Sequence, residues 1–363
     1  MPAILGSRRE VVKRPDENTG PDSSPAGSLP QSEPLGYNPP SRPAMYESIH
    51  ARLEKGGPLL LDGALGTELV RRGVRWRKHG LLTDAARVQQ LHADYAAAGA
   101  DILRTNTFQL NPRIFLNVFR NREHMRHIGA PGLEDLTPRL IRTSVELVRQ
   151  ARAQAGRESQ AAIAGVISPL EHCFRPDLAP PPDAARREHE ELARVFAEEK
   201  VDFLLLESMN TLAEAKAALA AGRAVGLPVW VSFVLGPEGE LLGREPLEKA
   251  VAEMEKGGAE VVLVNCAPPE DITRALGRMK KFATRPFGGF AHIGRFSPPS
   301  WKFDFFPQFT DTEEWPPDRY AREAGRWREQ GARVVGGCCG TGPAHIAALR
   351  AWLGKNGTGS PRP

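Results

Sequence analysis

Short apolar runs alternate with amphipathic stretches along most of the chain. Eight such runs recur, and most are apolar at successive positions, as strands buried on both faces of a parallel sheet are. They lie at 59–62, 101–106, 161–167, 202–207, 228–234, 260–266, 286–291 and 333–338. Helical periodicity follows most of them, at 84–98, 138–153, 183–200, 211–221, 246–256, 270–281, 317–330 and 343–353.

Eight strand–helix units over roughly 300 residues favour a single-domain α/β fold, the (β/α)8 TIM barrel. An open, doubly wound sheet is the weaker alternative, because no Gly-x-Gly-x-x-Gly turn follows the first strand. We expect the barrel to span residues 46–354. Reactive groups of such barrels lie at the carboxyl ends of the strands, so those positions are where candidate chemistry should be sought.

The two ends of the chain differ in composition from the rest. Residues 1–45 hold nine Pro, four Gly and six Ser with few large apolar groups. Such a segment buries too little surface to offset its ordering entropy, so we expect a disordered tail, and a shorter one at 355–363. The whole chain of 363 residues is 41% hydrophobic and 25% charged. This composition is ordinary for a globular protein.

Charge and hydropathy exclude several partners. A net charge of +4 provides no strong basic field, so we expect neither nucleic acid nor an anionic membrane surface as a partner. No apolar run has the length of a membrane span, and the N-terminus lacks the apolar stretch of a signal peptide. Four cysteines cannot form a disulfide framework for so long a chain, and two are adjacent. We therefore expect free thiols and a cytoplasmic location.

Polar and sulfur-containing side chains occur at the predicted carboxyl ends of the strands. They are Asp62, Thr105, Asn106, Ser168, Glu207, Ser232, Asn265, Cys266, His292, Cys338 and Cys339. Cys266 ends the sixth strand and Cys338–Cys339 the eighth, so the three sulfurs should meet at one rim. Three thiolates can bind Zn²⁺ tetrahedrally and leave the fourth position open, as catalytic zinc sites do.

Two other interpretations of these cysteines remain. Free cysteines are often buried for structural reasons, although a vicinal pair in a Gly-rich strand end with a third at another strand end argues against this. A redox-active vicinal dithiol is a minor alternative. Cys173, beside His172 in a Pro-rich loop, shares no such placement and is interpreted as a plain loop thiol, with a spare ligand as the lesser alternative.

Five segments make the chain resemble the homocysteine S-methyltransferase family, which includes betaine–homocysteine methyltransferases and the homocysteine-binding barrel of cobalamin-dependent methionine synthase. They are LLLDGALGTEL (59–69), ADILRTNTFQ (100–109), LLLESMNTLAEAKAAL (204–219), VLVNCAPPE (262–270) and GARVVGGCCGTGPAHI (331–346). The resemblance extends from about Gly57 to Leu353, and the paired-cysteine block with an upstream Asn-Cys is its most specific part. It implies a (β/α)8 barrel with catalytic zinc.

The resemblance also implies roles for individual residues. Cys266, Cys338 and Cys339 match the zinc thiolates. Asp62 and Gly63 match the first-strand turn that meets the polar end of the amino acid. Glu207 matches the carboxylate that binds the substrate ammonium group, and Asn265 matches a position with a supporting role in substrate binding.

Several of these residues also have plainer interpretations. Glu207 could cap a helix or pair with a neighbouring arginine, and turn chemistry alone accounts for Asp62. His292 could approach the metal rim or lie in a solvated loop, and His345 is expected to be a packed histidine near the last helix. Residues 296–320 hold eight of the 25 aromatic residues, which either cover a cationic donor or pack in a loop.

These observations predict a zinc-dependent enzyme that methylates homocysteine to methionine. The expected partners are two small molecules, homocysteine and a cationic methyl donor. S-methylmethionine or S-adenosylmethionine is favoured as the donor, and betaine is second. A zinc- or thiol-binding barrel without methyl transfer and an unrelated barrel lyase with structural cysteines are the alternatives.

Overall fold

The computed structural model describes residues 42–74, 80–118, 122–127, 131–297 and 308–356. Its strands are β1 Leu59–Leu60, β2 Ile102–Arg104, β3 Ala162–Ile167, β4 Phe203–Met209, β5 Val229–Val234, β6 Val261–Asn265, β7 Phe287–Ala291, β8 Arg295–Ser297, β9 Gln308–Thr310 and β10 Val334–Gly337. Its α-helices are α1 Ala44–Glu54, α2 Gly66–Arg71, α3 Gly80–Thr83, α4 Ala85–Ala97, α5 Pro112–Val118, α6 Arg122–His127, α7 Thr137–Gln154, α8 Pro182–Glu198, α9 Leu212–Ala224, α10 Leu247–Gly257, α11 Pro269–Met279, α12 Pro317–Glu329 and α13 Pro343–Asn356. Short 3₁₀ helices lie at Leu133–Leu136 and Pro176–Leu178.

Eight parallel strands form a nearly closed barrel in the described part of the chain. The order around the sheet is β1-β10-β7-β6-β5-β4-β3-β2, and a parallel bridge between Leu61 and Ile102 brings the two outer strands together. Helices surround the strands, as the strand–helix alternation requires. The predicted (β/α)8 barrel is thereby confirmed. Strands β8 and β9 form a separate antiparallel pair after β7, which the apolar pattern does not predict.

The core has two layers because successive side chains of each strand point to opposite faces. Leu60 and Leu103 belong to the layer between the strands and the helices. Leu59, Leu61 and Ile102 belong to the barrel interior, together with Cys173, Cys266 and Cys338. Cys266 and Cys338 therefore lie on the inward-facing side of the strand ends.

Helix α1, which begins inside the predicted tail, contributes to the interior core. Tyr46, Ile49 and Leu53 are buried in that core. The Tyr46 hydroxyl donates a 2.7 Å hydrogen bond to Glu260 and accepts one from the indole of Trp230 at 3.0 Å. Helix α1 begins at Ala44, two positions before the predicted domain start. It follows Pro43, the N-cap residue, whose ψ of 136° is not helical.

Two boundary observations concern the tails and the membrane. The predicted tail at 1–45 lies almost wholly outside the described residues, and helix α13 continues to Asn356, just past the predicted barrel end at 354. Within the described ranges, no helix is both long enough and apolar enough to cross a bilayer.

Candidate active site

Three of the four cysteines converge at the carboxyl ends of β6 and β10. The sulfur atoms of Cys266, Cys338 and Cys339 all lie within 4.8 Å of one another, close enough for the group to hold a metal ion. Cys266 and Cys338 are buried, and Cys339 is half-buried. All three line one cavity of about 780 Å³. Residues 72 positions apart in the chain are thus brought together by β6 and β10, the two strands that flank β7 in the barrel.

Backbone geometry explains how adjacent cysteines face one point. The Cys338 amide donates to the Ala291 carbonyl at 3.0 Å, which continues the β10–β7 ladder. The chain then turns, because the Thr341 amide and hydroxyl both donate to the Cys338 carbonyl, at 3.1 and 2.7 Å. Gly340 has a φ of 87°, a conformation that favours glycine. Cys266 itself has a φ of 53°, which turns the chain directly after β6.

Hydrogen bonds link the three thiols. The pKa of the Cys338 thiol lies well below its usual range because the thiols of Cys266 and Cys339 donate hydrogen bonds to its sulfur. The hydrogen bonds that Cys266 makes with Cys338 and Cys339, together with burial, raise the pKa of the Cys266 thiol. A cation placed among the sulfurs would replace those shared protons, since thiolates are the form that binds metal. The donor set therefore fits a metal ion chemically.

A buried arginine lies beside the cysteine cluster and pairs with two of the predicted site residues. Arg104, the last residue of β2, directs its Nε at Asp62 Oδ1 (2.6 Å) and its Nη1 at both carboxylate oxygens of Glu207 (3.1 Å each). Its backbone amide donates to the other Asp62 oxygen at 2.9 Å. The pairing with arginine, considered as an alternative for Glu207, is therefore present in the structure.

Burial and Arg104 shift the pKa values of the two carboxyl groups in opposite directions. Burial raises the pKa of Glu207 to about 7, although the Arg104 guanidinium opposes the shift. Burial also raises the pKa of Asp62, again against the effect of Arg104. Glu207 lines the cavity, whereas the Asp62 carboxylate is fully buried behind Arg104.

A bulge in β4 directs Glu207. The pairing of β4 with β5 shifts register between Leu206 and Met209. Ser208 within it adopts a φ of 63°. Asn265 stabilises this bulge, because its amide nitrogen donates to the Ser208 hydroxyl at 2.7 Å while its oxygen accepts from Ser232 at 2.5 Å. Asn265 is fully buried and lies outside the described cavity lining. Its predicted role in substrate binding stays a prediction, and its contacts are those of a supporting residue.

Gly63 also lies behind the cavity wall. Its carbonyl accepts a 2.7 Å hydrogen bond from Arg104. A Cβ at this position would come within 2.7 Å of the Tyr95 hydroxyl, so close packing requires a glycine here. Its predicted contact with the substrate likewise stays a prediction.

Aromatic side chains form the wall of the cavity around the cysteines. Phe296 stacks edge-on against Phe174 at 5.4 Å and against Phe309 at 5.0 Å, measured between ring centroids. All three rings line the cavity. Trp301, Phe303, Phe305 and Phe306 of the predicted aromatic segment lie outside the described residues.

The structure also places three residues whose roles the sequence leaves open. Cys173 is buried and lines the cavity, although it is outside the cluster of three sulfurs. His292 is buried with its ring 5.0 Å from that of Phe296, so the solvated position is wrong. His345 accepts from the Gly342 amide at 3.2 Å and lies 3.0 Å from the Trp315 carbonyl, a packed histidine near the start of α13 as expected.

Arg104 is the site residue that sequence reasoning missed. It ends an apolar strand run, where an unpaired charge would be costly, and this was the available signal. The same argument applies to Glu207, which follows the apolar run of β4.

A family model described as homocysteine S-methyltransferase matches residues 59–353. The chain belongs to the homocysteine S-methyltransferase family. Betaine–homocysteine S-methyltransferase 1 of Bos taurus is 26% identical over 322 residues, which cover 84% of this chain and 74% of that protein. S-methylmethionine–homocysteine S-methyltransferase BHMT2 of Rattus norvegicus is 28% identical over 329 residues, which cover 85% and 81%.

A solved structure of the family has the same fold. The crystal structure of the metallated form of the homocysteine methyltransferase MmuM from Escherichia coli superposes with a TM-score of 0.67 at 26% identity, covering 84% of this chain and 99% of that one. The resemblance noted from the sequence blocks is thus confirmed at the level of family, fold and enzyme class.

Proposed function

We propose that this protein transfers a methyl group from a cationic donor to the sulfur of homocysteine, giving methionine, with Zn²⁺ held by Cys266, Cys338 and Cys339. The observation that carries the proposal is the convergence of three cysteine sulfurs on a cavity that also exposes Glu207. Three soft thiolate donors favour zinc over magnesium or calcium. The metallated form of the related MmuM supports the presence of a metal.

Each part of the cavity would have a distinct task. A bound zinc ion would lower the pKa of a coordinated thiol, which is about 8.5 when free. Glu207, in the cavity lining, would accept hydrogen bonds from the substrate ammonium group. Enclosure by buried residues would orient the acceptor sulfur and donor methyl group for in-line attack.

The methyl transfer forms one bond and breaks another. The homocysteine sulfur forms a bond to the methyl carbon as the bond between that carbon and the donor heteroatom breaks. The donor heteroatom keeps the electron pair and becomes neutral, and the thiol proton leaves to solvent. Phe174, Phe296 and Phe309 line the cavity, and aromatic rings attract cations over their faces, which suits a cationic donor. S-methylmethionine or S-adenosylmethionine remains the favoured donor and betaine the second. Of the relatives described above, one is named for betaine and one for S-methylmethionine.

The reduced cysteines and the product indicate where the protein acts and what it forms. Three reduced cysteines at the site suit a reducing compartment, so a cytoplasmic location is part of the proposal. The product assigns the protein to methionine formation.

A donor screen with anaerobically purified protein tests the proposal. We expect bound zinc and methionine production from homocysteine with at least one of the three donors, abolished by a zinc chelator. Cys338→Ser should lose the metal, whereas Cys173→Ser, in the same cavity wall, should retain it. Zinc-bound protein that makes no methionine with any donor would favour a binding barrel without methyl transfer, and full methionine formation by Cys338→Ala would overturn the role proposed for the metal.

A further inference from the structure

Each of the three nitrogens of the Arg104 guanidinium faces an acceptor within the protein. A guanidinium has five N–H donors. Nε faces Asp62 Oδ1, Nη1 faces both oxygens of Glu207, and Nη2 faces the carbonyls of Asp62 (3.1 Å), Gly63 (2.7 Å) and Gly337 (2.9 Å). The group also lies 5.0 Å from the ring centroid of Phe290. Arg104 is 4% exposed, so it holds a fixed position.

These contacts join the carboxylate to the cysteine cluster. Gly337 immediately precedes Cys338, and its carbonyl is held by the same guanidinium that holds Glu207. Arg104 therefore fixes the spacing between the carboxylate and the Cys338–Cys339 pair. An acceptor thiol anchored at both points must span that distance.

The two carboxylates differ in the acceptor sites that they keep for a ligand. Both oxygens of Asp62 accept from Arg104, and Asp62 is fully buried. Glu207 borders the cavity and keeps further lone pairs for a ligand, because a carboxylate has about four acceptor sites. With both carboxylates ionised, one arginine leaves a single negative charge for one incoming ammonium group.

We propose that Arg104 is a positioning residue that directs Glu207 at the ammonium group of the acceptor and thereby makes the site prefer amino-acid thiols. This inference rests on the proposed function and goes beyond it, because it assigns the preference to a residue outside the roles that the resemblance implies. All three guanidinium nitrogens of Arg104 already face acceptors of the protein, so its effect on homocysteine passes through Glu207.

Two acceptors that differ by the ammonium group test the inference. Homocysteine and 4-mercaptobutyrate, which lacks the amino group, are compared in wild-type protein, Arg104→Gln, Arg104→Lys and Arg104→Gln/Asp62→Asn. We expect the wild type to prefer homocysteine at least tenfold in kcat/KM. Arg104→Gln should lose most of this preference through a higher KM for homocysteine, with zinc content unchanged. Arg104→Lys should lose it too, because a single ammonium cannot reach the same acceptors.

Binding of methionine to the metal-depleted, reduced protein gives a readout without turnover. Isothermal titration calorimetry should show at least tenfold weaker binding to Arg104→Gln, equivalent to about 1.4 kcal/mol. The double variant removes one charge of each sign, so it keeps the test open should Arg104→Gln fail to fold. Arg52→Gln is the matched control, because Arg52 pairs with Asp101 on the α1 side of the barrel.

The outcomes separate the two proposals. Wild-type protein that makes no methionine overturns the proposed function. Wild-type activity with equal use of both acceptors, or with an unchanged preference in the Arg104 variants, overturns the role of Arg104 alone. An Arg104→Lys variant that behaves as wild type would show that charge suffices and positioning does not matter.

Discussion

At the scale of single residues, the ionisation of Glu207 depends on a balance between burial and one partner. Burial raises its pKa to about 7 and Arg104 opposes this, so the carboxylate titrates near neutral pH. A buried charged group destabilises the fold unless it is paired. Its presence in a cavity therefore indicates a role in binding. Substitutions that remove the charge but keep the shape should therefore affect ligand binding first.

Glu207→Gln should raise the KM for homocysteine by roughly 10- to 100-fold, because hydrogen bonds to charged groups contribute about 1.5–3 kcal/mol. Zinc content, measured by atomic absorption, should stay at the wild-type level. Glu188→Gln, which removes the carboxylate that pairs with Arg113, is the control and should leave the KM unchanged. Loss of zinc in Glu207→Gln would instead indicate a metal-linked role for this carboxylate.

The aromatic wall makes a prediction for the donor. Phe296→Leu removes a ring that contacts Phe174, Phe309 and His292 while keeping an apolar side chain. Cation–π contacts contribute about 0.5–2 kcal/mol, so the KM for the cationic donor should rise about 2- to 30-fold and that for homocysteine should change less. Steady-state kinetics with each substrate varied in turn measures both, and equal changes would argue against an onium-binding wall.

At the scale of elements, helix α4 carries an internal histidine where the helix packs on the barrel. His92 is fully buried, and neither ring nitrogen has a hydrogen-bond partner among the described residues. Burial, with a smaller effect of Arg104, lowers its pKa to about 3. The folded protein thus keeps His92 neutral where an unfolded chain would protonate it.

This difference makes stability depend on pH. Between pH 6.5 and about 3 the unfolded chain binds more protons at His92, so the free energy of unfolding falls as the pH falls through this window. The contribution approaches about 1.4 kcal/mol per pH unit. Urea unfolding of His92→Met at pH 7, 5.5 and 4.5 should show a shallower decline than the wild type.

His127→Met, at an exposed position of α6, provides the control and should follow the wild-type pH dependence. Parallel curves for His92→Met and the wild type would mean that His92 is protonated in the folded state.

At the scale of the whole molecule, α1 contributes to the core inside the barrel, with Tyr46, Ile49 and Leu53 buried there. Each large apolar side chain buried in this way contributes about 1.5–3 kcal/mol. Residues before α1 have a composition that favours no core. The barrel should therefore depend on α1 and not on the segment that precedes it.

Deletion of residues 1–41 should leave the melting temperature and the activity at wild-type values, whereas deletion of 1–54 should lower the melting temperature by several degrees. Differential scanning calorimetry of the two truncations measures this, and the shorter truncation is the control for the longer one. A large drop in melting temperature after deletion of residues 1–41 would contradict the predicted domain boundary at residue 46.

Hydrophobic periodicity by itself determined the barrel, because strand and helix patterns are local and repeat eight times. The carboxyl-end rule then placed Cys266 near Cys338 and Cys339, since all parallel strands of a barrel end at one rim. Tertiary structure alone decided the partners of Glu207. Arg104 contacts residues 103 and 233 positions away, the bulge at Ser208 depends on Asn265, and Cys173 reaches the cavity from a loop. Such contacts follow from how strands and loops pack in space, a relation that no local pattern of residues records.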